Sequence, residues 1–94
     1  MRGEYRRLHP LDELSLLSDK VELAEDIHHL VSPFEVGRTP AEITVLLLDA
    51  DNLIALTKQH HGYIHGHPEQ LTDIEREHLR TRKEALRKKY HYIF

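Results

Sequence analysis

Thr39-Pro40-Ala41-Glu42 opens the most apolar stretch of the chain, and no other feature constrains the fold as strongly. The threonine hydroxyl can accept from the N–H three residues on, Pro40 presets φ for a first helical turn, and Glu42 can reach back to the N–H of Thr39. Ile43, Leu46, Leu47, Ala50, Leu53, Ile54, Thr57, His61 and Ile64 then recur at helical spacing. Val45, Leu48 and Leu56 add apolar atoms on a second face. A helix apolar on more than one side is central or shared with another subunit. The spacing predicts one core helix over residues 40–61, with Val45, Leu48 and Leu56 meeting a second copy. Asp49-Ala50-Asp51-Asn52 interrupts the run and reads as a solvent-facing strip. Its alternative is a buried polar pair that sets the register between subunits.

Towards the N-terminus, Pro10 suits a first helical turn, and Leu14, Leu17, Val21, Ala24, Ile27 and Val31 follow at intervals of three or four. That pattern predicts a helix over residues 11–30. Ser18-Asp19 followed by Glu22 offers a fresh start inside it. Ser32-Pro33-Phe34-Glu35 has the composition of one short helical turn. Residues 1–9 are basic and aperiodic, as a flexible arm would be. Gly62, Gly66 and Pro68 mark a loop, after which Thr72-Asp73-Ile74-Glu75 repeats the capping pattern and opens a helix over residues 72–90. Its apolar stripe is thin, holding Ile74, Leu79, Leu86, Tyr90 and Ile93.

No segment alternates apolar with polar residues, and neither Asn-Gly nor Asp-Gly occurs, so strands are not expected. The reading is all-α: three main helices in a small antiparallel bundle, completed by dimerisation, with residues 10–94 as a single domain. At 94 residues the chain has room for one core, and a second copy would add burial. It has no cysteine, which excludes disulfides, thiolate metal sites and thiol nucleophiles. The longest uncharged apolar run, Ile43 to Leu48, falls far below the roughly 20 residues of a spanning helix. Without a signal-peptide pattern either, the expected location is the cytoplasm.

Charge is unevenly spread. Residues 1–60 carry six Lys or Arg and eleven Asp or Glu, hence −5, while residues 61–94 carry seven and five, hence +2. Arg80, Arg82, Lys83, Arg87, Lys88 and Lys89 make the last helix a candidate surface for phosphate backbones. The competing explanation is that acid at the start and base at the end of a helix complement its dipole, as Asp73, Glu75 and Glu77 followed by Arg87, Lys88 and Lys89 do. Nucleic acid is therefore a possible but not favoured partner.

Nine histidines are many for this length, and five fall between His60 and His78. His61 and His65, four apart, share a face of any helix that runs through Gly62, and two imidazoles on one face can take zinc, nickel or iron. His67 and His60 are near enough in sequence to add ligands. Glu25 with His28 and Glu75 with His78 repeat the Glu-x-x-His spacing of di-iron bundles, a coincidence that this many glutamates and histidines produces by chance. The plain reading of His28, His29 and His78 is that they edge the helical interface.

The serines Ser15, Ser18 and Ser32 lack a nucleophile elbow, and no cofactor fingerprint is present, so neither an enzyme nor a bound cofactor is expected. The favoured function is a helical protein–protein interaction module that acts as a homo-oligomer, with Tyr92 and Phe94 as aromatic contacts beside the basic run. Nucleic-acid binding through residues 76–94 and metal binding through His61, His65 and His67 are the alternatives.

Overall fold

The computed structural model describes residues 2–91. The elements are α1 (Arg2–Leu8), α2 (Glu13–Leu16), β1 (Asp26–His29), α3 (Pro40–Leu48), a 3₁₀ turn (Ala50–Asn52), β2 (Leu53–Leu56), α4 (Lys58–Gly66), a second 3₁₀ turn (Pro68–Gln70) and α5 (Asp73–Lys89). β1 and β2 pair antiparallel, with Ile27 opposite Ala55 and His28 opposite Ile54. The fold is a small mixed α/β unit, which corrects the all-α helical bundle expected from the sequence. No helix among the described residues is long and apolar enough to cross a membrane.

Two expected helices dissolve, each for a visible reason. Over residues 11–30 the Asp12 side chain caps α2 by accepting from the Ser15 N–H at 2.6 Å, but α2 closes after four residues. Asp19 then takes a positive φ of 58°, at the Ser18-Asp19 position where a break was foreseen. The chain doubles back, with the Asp12 N–H donating to Glu22 O and the Ala24 N–H to Pro10 O, and runs extended into β1.

Over residues 40–61 the break is Asp49-Ala50-Asp51-Asn52. Asp49 leaves the helix with ψ 116°, and its carboxylate accepts from the Asp51 N–H at 2.9 Å. Asn52 is fully buried; its Nδ2 donates to Val31 O and Leu46 O, both at 2.9 Å, and its Oδ1 accepts from the Val31 N–H at 2.8 Å. With Asn52 buried inside the chain, the three polar residues Asp49, Asp51 and Asn52 turn a helix into a strand.

Leu53–Leu56 is then buried at every position. Strand geometry sends alternate side chains to opposite faces. Ile54 and Leu56 join Leu14, Leu30, Leu46, Leu71, Leu79, Leu86 and Tyr90 in the main core, while Leu53 and Ala55 join Tyr5 and Ile27 in a second cluster. α1, expected as a flexible arm, covers that second face: Tyr5 is buried and its hydroxyl lies 2.9 Å from Leu53 O and 2.5 Å from Glu13 Oε2. The sheet face that holds Leu53 and Ala55 is thus covered by the chain's own N-terminal helix.

Both strong start signals form as read. Thr39 and Thr72 each accept from the N–H three residues on, while Glu42 and Glu75 return the bond to the cap N–H groups. α5 spans nearly the residues expected of it.

Asn52→Ala removes three side-chain hydrogen bonds and strands Val31's N–H and two carbonyls away from water. At about 1 kcal/mol per lost bond, the variant should lose about 3 kcal/mol of stability. Urea denaturation reads this directly, and an unchanged midpoint would show that the 31–52 tie does not hold the turn.

Candidate metal centre

Two periodicities build the site. Asp26 and His28 are two apart on β1 and share the face that looks towards the Ile54 and Leu56 side of the sheet. His61 and His65 are four apart on α4 and share one helical face. α4 packs on the sheet through Tyr63 and Ile64, against the cluster that holds Ile54 and Leu56. Strand face and helix face therefore meet, and four polar side chains close together.

His28, His61 and His65 each bring one ring nitrogen within 4.8 Å of the other two. Nε2 of His61 and Nε2 of His65 are 3.0 Å apart, and the His28 ring centroid stands 5.1 Å from that of His61 and 5.0 Å from that of His65. Two nitrogens on one tetrahedral ion, each about 2.0–2.1 Å from it, stand about 3.3 Å apart. The three imidazoles are thus within a side-chain adjustment of a coordination set.

Asp26 sets the orientation. Its Oδ2 lies 3.0 Å from Nδ1 of His61. With Nδ1–H donating to the carboxylate, Nε2 of His61 keeps its lone pair and points at the other two rings. A carboxylate behind a ligating histidine is the usual way a protein fixes tautomer and ring plane at a metal. The His61 bond, assisted by Lys58 3.4 Å away, holds the Asp26 carboxyl below the ordinary aspartate range, so it is anionic at neutral pH. Burial pushes His28 down to about 4, and its basic neighbours His61, His65, Lys83 and His29 add to the effect. His28 is consequently neutral at pH 7 and holds a lone pair ready for a cation.

The start of α4 is pinned by a second, more buried constellation. The Asp12 carboxylate is fully buried and accepts from the N–H groups of Ser15 and Thr57, both at 2.6 Å. Nδ1 of His60 lies 2.8 Å from Asp12 Oδ2, and Nε2 of the same ring lies 3.0 Å from Glu75 Oε2. One histidine thereby joins α2, α4 and α5. Glu75 is spent here and on its capping box, so the Glu75 and His78 spacing builds no ligand pair; Glu25 instead meets the Lys58 N–H.

Of the histidines singled out from the sequence, the structure brings His61 and His65 together and leaves His67 apart, exposed and 3.4 Å from Glu69. Gly62 does not interrupt α4, which runs on and ends at Gly66. Sequence reasoning missed His28 as the third nitrogen and Asp26 as the orienting carboxylate. The available signal was Asp-x-His at strand spacing, concealed by assigning that segment to a helix.

The basic residues of α5 divide in two. Arg80 bonds Glu77 and Glu84; Arg82 donates to Leu53 O at 2.7 Å and Asp51 O at 3.1 Å; Lys89 meets Asp49 and Asp51. Lys83, Arg87 and Lys88 are exposed. Among the expected interface residues, Leu56 is enclosed by the chain itself, Val45 is half-buried against the main core and Leu48 is 54% exposed. Tyr92 and Phe94 lie outside the described residues.

No family model, curated protein or solved structure matches the chain.

Asp12→Ala would leave His60 facing only Glu75 and strand the Ser15 and Thr57 N–H groups. Breaking a buried pair from one side costs about 3–5 kcal/mol, which is the expected loss for this variant in chemical denaturation. A loss below about 1 kcal/mol, the size of one ordinary hydrogen bond, would mean that α4 is positioned by its apolar contacts alone.

Proposed function

We propose that the protein binds one divalent transition-metal ion through a ring nitrogen each from His28, His61 and His65, with Asp26 orienting His61. The observation that carries this reading is the convergence of three imidazoles from a strand and a helix, with a carboxylate on the far nitrogen of one. Neutral imidazoles suit zinc, copper, nickel and iron, and a set of three nitrogens without thiolate fits a zinc ion that keeps one position for an outside ligand.

Zinc titration of untagged protein purified without a nickel column tests the proposal. The expected result is one ion per chain, with a large loss of affinity in His28→Ala, His61→Ala and His65→Ala. Asp26→Asn, which keeps the size but weakens the bond to His61, should lower affinity by about 10–100-fold. Wild-type affinity in all three histidine variants would overturn the assignment.

A second reading, a protein–protein contact made by a homo-oligomer or with another protein, is favoured by exposed apolar side chains. Val21 is 75%, Leu23 74% and Phe34 68% exposed. Sedimentation over a range of concentrations tests it. A mass that rises and is returned to the monomer by Val21→Asp supports the contact, and a constant monomer mass removes the homo-oligomer. Nucleic-acid binding by α5 receives less support, because Arg80, Arg82 and Lys89 are engaged within the chain. The lack of cysteine supports a reducing compartment such as the cytoplasm.

A further inference from the structure

The three histidines do not face a closed core. They line a groove of about 690 Å³ whose other walls come from α1 (Gly3 and Arg6), from β1 and from the turn that carries Ser32, Pro33 and Phe34. His65 is exposed at its mouth. A groove of this volume matches the size of a small-molecule site.

Its chemistry is two-sided. One side is cationic, because Arg6 belongs to the lining. Arg6 is held by a bond from Nη2 to Glu25 O at 2.7 Å, and a guanidinium has further N–H donors in the same plane. The one carboxylate in the lining, Asp26, is engaged by His61 and Lys58. A divalent ion on three neutral imidazoles would bring two uncompensated positive charges to this wall. The other side is apolar, formed by Pro33 and the largely exposed ring of Phe34.

We infer that the groove is the binding site for a small organic anion, whose charged oxygen takes the fourth position on the ion held by His28, His61 and His65. Arg6 pairs with the anion's remaining oxygens, and Phe34 covers its apolar body. The inference rests on the metal reading above and adds to it the class of ligand: an aryl or alkyl phosphate or carboxylate. A three-nitrogen set leaves a tetrahedral ion with one position for an outside ligand, and an anion there meets positive charge from the ion and from Arg6 together.

Cobalt-loaded protein separates the two layers of the argument, because Co²⁺ takes zinc-like sites and its visible spectrum responds to each ligand. The probes are phenyl phosphate and inorganic phosphate. Phenyl phosphate should shift the cobalt bands saturably and bind more tightly than inorganic phosphate. Arg6→Ala should weaken phenyl phosphate by about tenfold or more, the size of a lost charge-assisted bond. Phe34→Ala should erase the preference for phenyl phosphate over inorganic phosphate. A bound cobalt ion whose spectrum neither probe moves would overturn this inference and leave the metal reading standing. Equal affinity for both probes in wild type would remove the role of Phe34, and with it the organic ligand. Absence of any cobalt uptake would overturn both layers.

Discussion

A buried carboxylate needs several donors around it, and Asp12 has them. Its two oxygens are shared among the Ser15 N–H, the Thr57 N–H and Nδ1 of His60, while the other nitrogen of His60 meets Glu75. Burial by itself would raise the Asp12 pKa; the bonds from Thr57, His60 and Ser15 outweigh it and hold the carboxyl below the ordinary value. Removing a charge from water costs several kcal/mol, so the arrangement persists only with all partners in place. Those partners belong to α2, the β2–α4 junction, α4 and α5. Fixing His60 fixes the rotation of α4, and His61 and His65 follow as the next positions along that helix.

The charge asymmetry along the chain finds part of its use inside the molecule. Asp49 and Asp51, placed by the turn that ends α3, receive Lys89 from the far end of α5. Arg82, two turns earlier, caps the carbonyls of Asp51 and Leu53 and reaches Glu13 at 3.5 Å. These contacts tie α5 across the start of β2 by charge where its thin apolar stripe gives little grip. Asn52, which opens β2, faces the opposite way and is consumed by Val31 and Leu46. The short polar insertion therefore serves the strand on one side and the helix on the other, roles invisible while it is drawn as part of a continuous helix.

What could be read from the residues alone was local. The capping boxes at Thr39 and Thr72 depend on neighbours three residues apart, and both form. The His61–His65 pair was legible for the same reason. The interior of residues 40–61 was not, because Leu-Ile-Ala-Leu is apolar at every position. A strand buried on both faces has no alternation to display, and its apolar run cannot be told from a buried helix by period. Residues 11–30 went astray through a real helical spacing overridden by Asp19 at positive φ and by pairing with β2, neither of which a propensity can anticipate. Once β1 was read as helix, Asp26 and His28 no longer shared a face. The third nitrogen and the carboxylate behind His61 were lost together.

The centre also links the two elements it is built from. β1 and α4 are separated in sequence by the whole of α3 and β2, and their polar contact at this end is Asp26 with His61 and Lys58. The 3.0 Å approach of Nε2 of His61 to Nε2 of His65 requires a proton between them, since two lone pairs would repel. With Asp26 holding the Nδ1 proton of His61, that shared proton belongs to His65. An ion taking both Nε2 atoms must displace it, and His65 must carry its proton on Nδ1 instead. Such an ion would therefore be taken up with a tautomer exchange at His65. Because only the native pairing of β1 with α4 brings the nitrogens together, the free energy of binding adds to that of folding, by about 2.7 kcal/mol at a hundredfold excess over the dissociation constant.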